Sequence, residues 1–494
     1  MRAAATLALL AAFMTPAWAE APDTAILTAG LTAIRERALL DLPVAKLAIE
    51  GLKGLAAIDP AIEITEEDVG NLGILYGTRR IAGVVRPADN DAAGWARAID
   101  RVVTAVSASA PAIRQADRGR IEQTIFDSAL GLLDVFSHFD NPADAKEHRA
   151  ERDGFGGVGI LYEPASDGLL LTSVIADTPA AKAGLRAGDR ITAIDGIAVA
   201  GQRRAMIVER LHGPTESPII LTVRHASGRQ TAALTLLRSL VVPPTVMMTT
   251  DKKIATIAIS GFNQNTAPAL REALAKIDTR NVILDLRGNP GGLLDQGIAV
   301  ADQFIAQGRI LATHGRHPAS HRVFDAKPGD TGENLRLVVL ADGRTASAAE
   351  IVTAALQDSG RAVVIGTNTF GKGTVQTVVR LADDAELTLT WARFFTPSGY
   401  ALHGLGVLPN LCTSGAANPN ILLKALGAEK PGPAPQFEQW RTVAVDDHER
   451  RQKLRGRCPA EDHAVRTVET ALARRLLDAP ELYERALAQS APPQ

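Results

Sequence analysis

Ser347 and Lys372 are the residues of this 494-residue chain whose types and settings best suit nucleophilic chemistry. Ser347 stands where an apolar β-like run, LRLVVLAD, gives way to a helical pattern, AAEIVTAALQD. Its hydroxyl would sit at a helix start, beside backbone N–H groups that have no intrahelical partner and can stabilise an oxyanion. Lys372 follows the run RAVVIG and lies between Gly371 and Gly373, which let the backbone bend and bring the amine up to another group. A hydroxyl paired with an amine that is neutral at working pH is a route to acyl transfer. Each residue also has a plainer reading. Ser347 with Glu350 spells a capping box, in which the hydroxyl only satisfies the first helical turn. A lysine between two glycines is commonly a solvated loop residue.

The elements that must position these residues are α/β in pattern. KIATIAI and NVILDLRG read as strands, and APALREALAKI and GGLLDQGIAVADQFIA as helices. The Asn289-Pro290-Gly291-Gly292 turn joins the second strand to its helix and could aim a backbone N–H at a bound oxygen. An isolated NPGG is otherwise only a turn.

Composition bounds the rest. The length calls for two to four domains, and 46% hydrophobic with 22% charged residues suits a globular protein. A net charge of −2 and the lack of an aromatic platform interleaved with Arg or Lys argue against nucleic-acid binding. Arg2, the apolar run AAATLALLAAFM and Ala17-Trp18-Ala19 read as a secretory signal over 1–19, cleaved on export; a retained anchor is the competing reading, although the run is short for a span. No later segment is apolar enough to cross a membrane. Export would put Cys412 and Cys458 in an oxidising compartment, where a disulfide is expected rather than two free thiols. No metal site is expected, because neither cysteine has the paired spacing that zinc ligation needs.

In chain order, residues 20–153 read as a mainly helical domain with a short β insertion over Ile62 to Pro87, closed by a charged, polar bridge, DAKEHRAERD. Residues 154–240 resemble a PDZ domain in the GFGGVGI loop, the TPAAKAGLRAGDRI helix and turn, the AIDG hairpin and the strand IILTVRHASG. That resemblance implies binding of an extended peptide as an added strand, with Phe155, Gly157, Val158 and Gly159 forming the loop that receives a C-terminal carboxylate. A β-rich spacer without a ligand is the alternative. After Cys412 the chain is Pro-rich and then helical to Gln489, so 411–494 is expected to be a helical extension.

Taken together, these pieces resemble the carboxyl-terminal processing peptidases, or tail-specific proteases, from about Ile121 to Asn410. The specific parts are NVILDLRGNPGGLLDQGIAVAD, TASAAEIVTAALQDSGRAVVIGTNTFGKGTVQT and TLTWARFFTPSGYALHGLGVLP, in the family's order and after a PDZ-like domain. The resemblance implies a multidomain α+β chain whose residues 241–410 form an α/β peptidase core of the crotonase/Clp-protease-like type. It implies Ser347 as nucleophile, Lys372 as a buried general base and Gln376 as the residue orienting it. The backbone N–H groups of Ala348 and Gly291 would form the oxyanion hole, with Asp358 as structural support. Four residues of ideal strand would hold Lys372 and Gln376 roughly 13 Å apart, so their contact requires a bend.

It further implies an exported, periplasmic serine endopeptidase that shortens proteins with apolar C-termini and needs no cofactor. Secretion to the outside and delivery of substrate by an adaptor protein stay open. The region before Ile121 is longer than the family leads one to expect, and homodimerisation is the reading offered for it. Asn410 follows Pro409 where family members often have Asp, a change expected to bear little on activity. Two other readings remain: a catalytically silent PDZ scaffold, and a crotonase-like hydratase acting on a thioester.

Overall fold

The computed structural model describes residues 23–67, 70–226, 233–251, 253–329, 332, 334–416, 418–428, 430, 432–463 and 467–491, so the leader-like stretch 1–19 lies outside the described residues. The chain divides into two compact units, one holding residues up to Ala145 together with Gln376–Trp391, the other Lys146–Val375 with Ala392 onward. No helix among the described residues is long and apolar enough to cross a membrane.

The first unit is built from helices Thr24–Arg37, Val44–Lys53, Ala92–Ser109, Pro111–Gln115 and Arg118–Gly131 and a three-stranded antiparallel meander, Ile62–Glu66, Asn71–Tyr76 and Arg79–Val85. Aspartates set three of the helix starts: Asp23, Asp91 and Asp117 each accept a hydrogen bond from a first-turn N–H, offsetting the unpaired donors there. Apolar residues at helical spacing, among them Leu27, Leu47, Trp95, Ile99, Val102 and Phe126, fill one core. Leu381, Ala385, Leu387 and Leu389 complete it, which is why residues 376–391 belong here although sequence order puts them inside the expected core domain.

DAKEHRAERD is not an irregular bridge. Pro142–Asp153 is a helix, as its content of Ala, Lys, Glu and Arg favours. The β-rich part that follows is a five-strand path in the order Leu234–Leu237, Pro218–Arg224, Arg190–Ile194, Gly168–Val174, Ile160–Ala165, with helices Pro179–Lys182 and Arg204–Leu211. Val158, Leu169, Leu171, Ile191, Ile219 and Leu221 form its separate core. Ile160–Ala165 is the last strand of that path, so among the described residues one side of it is an open edge.

The centre of the second unit is a six-stranded sheet ordered Val246–Asp251, Ile254–Ile259, Asn281–Asp285, Arg336–Ala341, Ala362–Gly366, Leu411–Cys412. The first pair is antiparallel and the others are parallel. Covered on both faces, its strands read as continuous apolar runs such as AVVIG, all five residues of which are buried. Helices Thr266–Leu274, Leu294–Asp302 and Ala348–Asp358 make the crossovers, and every residue of the last is buried. Among the described residues, five further helices, from Pro419–Ala428 to Pro480–Gln489, follow the sheet.

Candidate active site

Three neighbouring parallel strands, Asn281–Asp285, Arg336–Ala341 and Ala362–Gly366, release their loops at their carboxyl ends. Those loops carry Gly291, Ser347 and Lys372 respectively. The carboxyl ends of parallel strands are where open α/β sheets place their ligand crevices.

Ser347 precedes the buried helix Ala348–Asp358 with φ 54° and ψ −118°, a conformation that a residue with a β-carbon rarely adopts. Such strain costs on the order of 1–3 kcal/mol and persists only where neighbours fix it. Glu350 is the fixing group. Its side chain is fully buried, and its Oε2 accepts from the backbone N–H of Ser347 at 2.9 Å and from that of Lys372 at 2.8 Å. Its Oε1 accepts from Gly371 N at 2.7 Å and from the Thr369 hydroxyl. Burial pushes this carboxyl up to about 6, against the pull of those four donors. The capping-box glutamate is thus also the tether of the lysine loop. The sequence marked Glu350 as a cap, and nothing local in it points to a contact 22 residues away.

The NPGG turn meets Ser347 directly. A β-carbon at Gly291, where φ is +100°, would lie 2.8 Å from Ser347 Cβ and 3.0 Å from Ala348 N. Only glycine leaves that space open. The N–H expected of Gly291 is, however, already donated to Asn289 Oδ1 at 2.8 Å. Among the described residues, the N–H groups of Gly292 and Ala348 have no acceptor. The turn therefore offers Gly292 as donor and Gly291 as clearance.

Other expected residues fall as follows. Lys372 is half-buried rather than buried, because its loop turns out of the sheet between Phe370, which is 52% exposed, and Gly373. Asp358 is a buried support: it accepts from Ser398 N at 3.1 Å and pairs with Arg441 at 2.8 Å. Gln376 lies in strand Thr374–Arg380 and belongs with the first unit, where its Nε2 donates to Thr390 Oγ1 at 3.2 Å. Phe155 and Gly157 are not in an open loop. They belong to a short strand paired with Ser239–Val241, and the Phe155 ring stacks on His212 at 3.8 Å. Val158 turns into the PDZ core, and Gly159, with φ +81°, leads into the open edge strand. Cys412 and Cys458 form a disulfide with a Cα–Cα separation of 5.9 Å.

Residues 253–412 match the family model for peptidase family S41, and residues 170–225 match one for the PDZ domain. The chain is similar to a carboxy-terminal-processing protease of Bartonella bacilliformis, 38% identical over 303 residues, covering 60% of this chain and 70% of the relative. It is similar also to a carboxyl-terminal-processing protease of Synechocystis, 33% identical over 262 residues, covering 51% of this chain and 61% of that one. Among solved structures it resembles a photosystem II D1 C-terminal processing protease at 29% identity, covering 59% of this chain and 82% of that chain, with a TM-score of 0.36.

Proposed function

The chain belongs to the carboxy-terminal-processing proteases of peptidase family S41, a family of serine-type peptidases, and on that premise we propose an exported endopeptidase that cleaves polypeptides near their C-termini with a Ser347–Lys372 pair. The observation that carries this reading is the shared oxygen of Glu350, which accepts from both Ser347 N and Lys372 N and so ties nucleophile and base loops to one buried point.

In the proposed reaction Ser347 Oγ bonds to the scissile carbonyl carbon while its proton passes to Lys372 Nζ, and the carbonyl π electrons move to oxygen. Ala348 N–H and the NPGG turn receive that oxyanion. The C–N bond then breaks as Lys372 returns the proton to the departing amine; Lys372 next takes a proton from water, whose oxygen bonds to the acyl carbon, and gives it to Ser347 Oγ as the ester bond breaks and the carboxylic acid leaves. The open edge Ile160–Ala165 supports recognition of a substrate tail by strand addition, with its carboxylate at the preceding loop. The leader-like 1–19 supports a periplasmic address.

Incubation of the full chain and its Ser347→Ala variant with an unstructured polypeptide ending in apolar residues tests the reading. Cleavage by the parent and none by the variant is expected. Equal cleavage by both removes Ser347 from its role, and no cleavage by the folded parent favours a binding scaffold.

A further inference from the structure

The stretch His448–His463 lies beyond the S41 match, yet it reaches the supports of both catalytic loops. Helix His448–Arg455 directs two arginines at the chain that backs the lysine loop. Arg451, only 3% exposed, donates to the carbonyls of Ala401 at 2.7 Å and His403 at 2.5 Å. Arg455 donates to Leu405 O at 2.6 Å, and its Nη1 would lie 3.1 Å from a β-carbon at Gly371. That backing chain is bonded to the lysine loop itself: Gly404 N donates to Gly371 O at 2.9 Å, and Val407 N to Thr369 Oγ1 at 2.8 Å. Burial lowers the Arg455 pKa, and attraction to the Glu350 carboxylate, the tether of the lysine loop, opposes that shift.

A few residues on, the chain grips the nucleophile loop. Glu461 O accepts from Gly343 N at 2.7 Å and from Thr367 Oγ1 at 3.2 Å. His463 N donates to Asp342 Oδ2 at 3.0 Å. The other oxygen of Asp342 accepts from Thr345 N at 3.0 Å and from Gly288 N at 2.9 Å, joining the Ser347 loop to the approach of the NPGG turn. Between the two grips sits Cys458, which the disulfide fastens to Cys412 beside Gly366, at the end of the strand that releases the lysine loop.

We propose that His448–His463, pinned by the Cys412–Cys458 disulfide, is a brace that sets the relative position of the Ser347 and Lys372 loops, with Arg455 as a positioning residue for the lysine loop. The brace rests on the Ser347–Lys372 reading for its effect on rate, but its effect on loop order does not. A small displacement of a catalytic pair costs turnover far more than it costs substrate affinity.

The test compares the full chain with the Cys412→Ser/Cys458→Ser double variant and with Arg455→Met and Arg455→Lys, at a temperature where far-UV circular dichroism shows all to be folded. With an unstructured polypeptide ending in apolar residues, kcat is expected to fall roughly tenfold or more in the double variant and in Arg455→Met, with KM within about twofold and partial recovery in Arg455→Lys. Amide hydrogen exchange, which needs no activity, is expected to quicken in peptides covering 342–347 and 369–373 and to stay unchanged over 160–174. Unchanged kcat, or a change confined to KM, overturns the brace. So does unaltered exchange in both catalytic loops. If the parent itself cleaves nothing while exchange in those loops still quickens, the proteolytic reading fails and the brace stands.

Discussion

The turn Asn289–Gly292 and the loop Phe155–Gly159 carry similar glycine-rich sequences, and both read as places where backbone N–H groups meet an anionic oxygen. Their surroundings separate them. The first faces a strained serine, and its glycine clearance opens beside Ala348 N. The second is half consumed by pairing with Ser239–Val241 and by the burial of Val158, and it keeps only the approach to an open strand edge. A glycine turn acquires chemistry from what it is packed against. The first turn should therefore govern turnover and the second, affinity for a tail.

The largest expected break in that contrast is Gly291→Ala. A methyl group there would crowd Ser347 and Ala348 N in a backbone conformation that alanine resists, so kcat should fall by roughly 10²–10³ while KM changes little. Steady-state kinetics on a long unstructured substrate would measure it; a loss seen only in KM would assign the turn to binding.

Glu350→Gln comes next. An amide replaces one acceptor oxygen with a donor, which must then face backbone N–H or the Thr369 hydroxyl. A loss of roughly 10- to 100-fold in kcat is expected, as for one to two charged hydrogen bonds. The parent should show a related pH effect. With the folded-state value raised to about 6 from 4.5, kcat should decline as pH falls through about 6 and Glu350 takes up a proton. Stability should move the other way. A raised value means that the folded state holds the proton more tightly, so this group's contribution is fully present below 4.5 and lost as pH rises through about 6, a change of about 2 kcal/mol. Denaturant titrations between these pH values, set beside kcat, would detect the opposition; a parallel decline of both would refute it.

The smallest effect belongs to the second glycine loop. Amidating the substrate's C-terminus removes the charge that the PDZ loop is proposed to receive, so KM should rise by a few-fold, roughly 1 kcal/mol, with kcat unaltered. An unchanged KM would leave the open edge strand without that role.

What the sequence made legible was local. Apolar runs at strand and helical spacing marked the meander, the PDZ strands and the crossovers, because period and burial are written into neighbouring residues. The helix start at Ser347 and the glycines around Lys372 are legible in the same local way. What escaped depends on contacts between distant segments. Glu350 looked like a cap because its other two backbone donors come from a loop far along the chain. Which N–H of the NPGG turn stays unpaired is not legible locally, because nothing in those four residues tells which one the Asn289 side chain takes. Asn410 seemed a minor departure. It is buried, its Oδ1 accepts from Val364 N and Gln357, and its amide donates to Ala486 O and Ser490 Oγ, each of the last two at 2.9 Å, which an aspartate could not do. The helical extension that supplies those acceptors also supplies Trp440 and Leu454 to the main core, a role that its sequence, read alone, does not reveal.

The proposed reaction requires Ser347 to form a covalent acyl intermediate with Lys372 as its base. The most direct measurement is acid quenching of the full chain during turnover of an activated peptide ester, followed by mass spectrometry of the digested protein. An acyl adduct is expected on the peptide containing Ser347 and is expected to be absent from Lys372→Ala. An adduct on another residue, or undiminished turnover by Ser347→Ala, would contradict it.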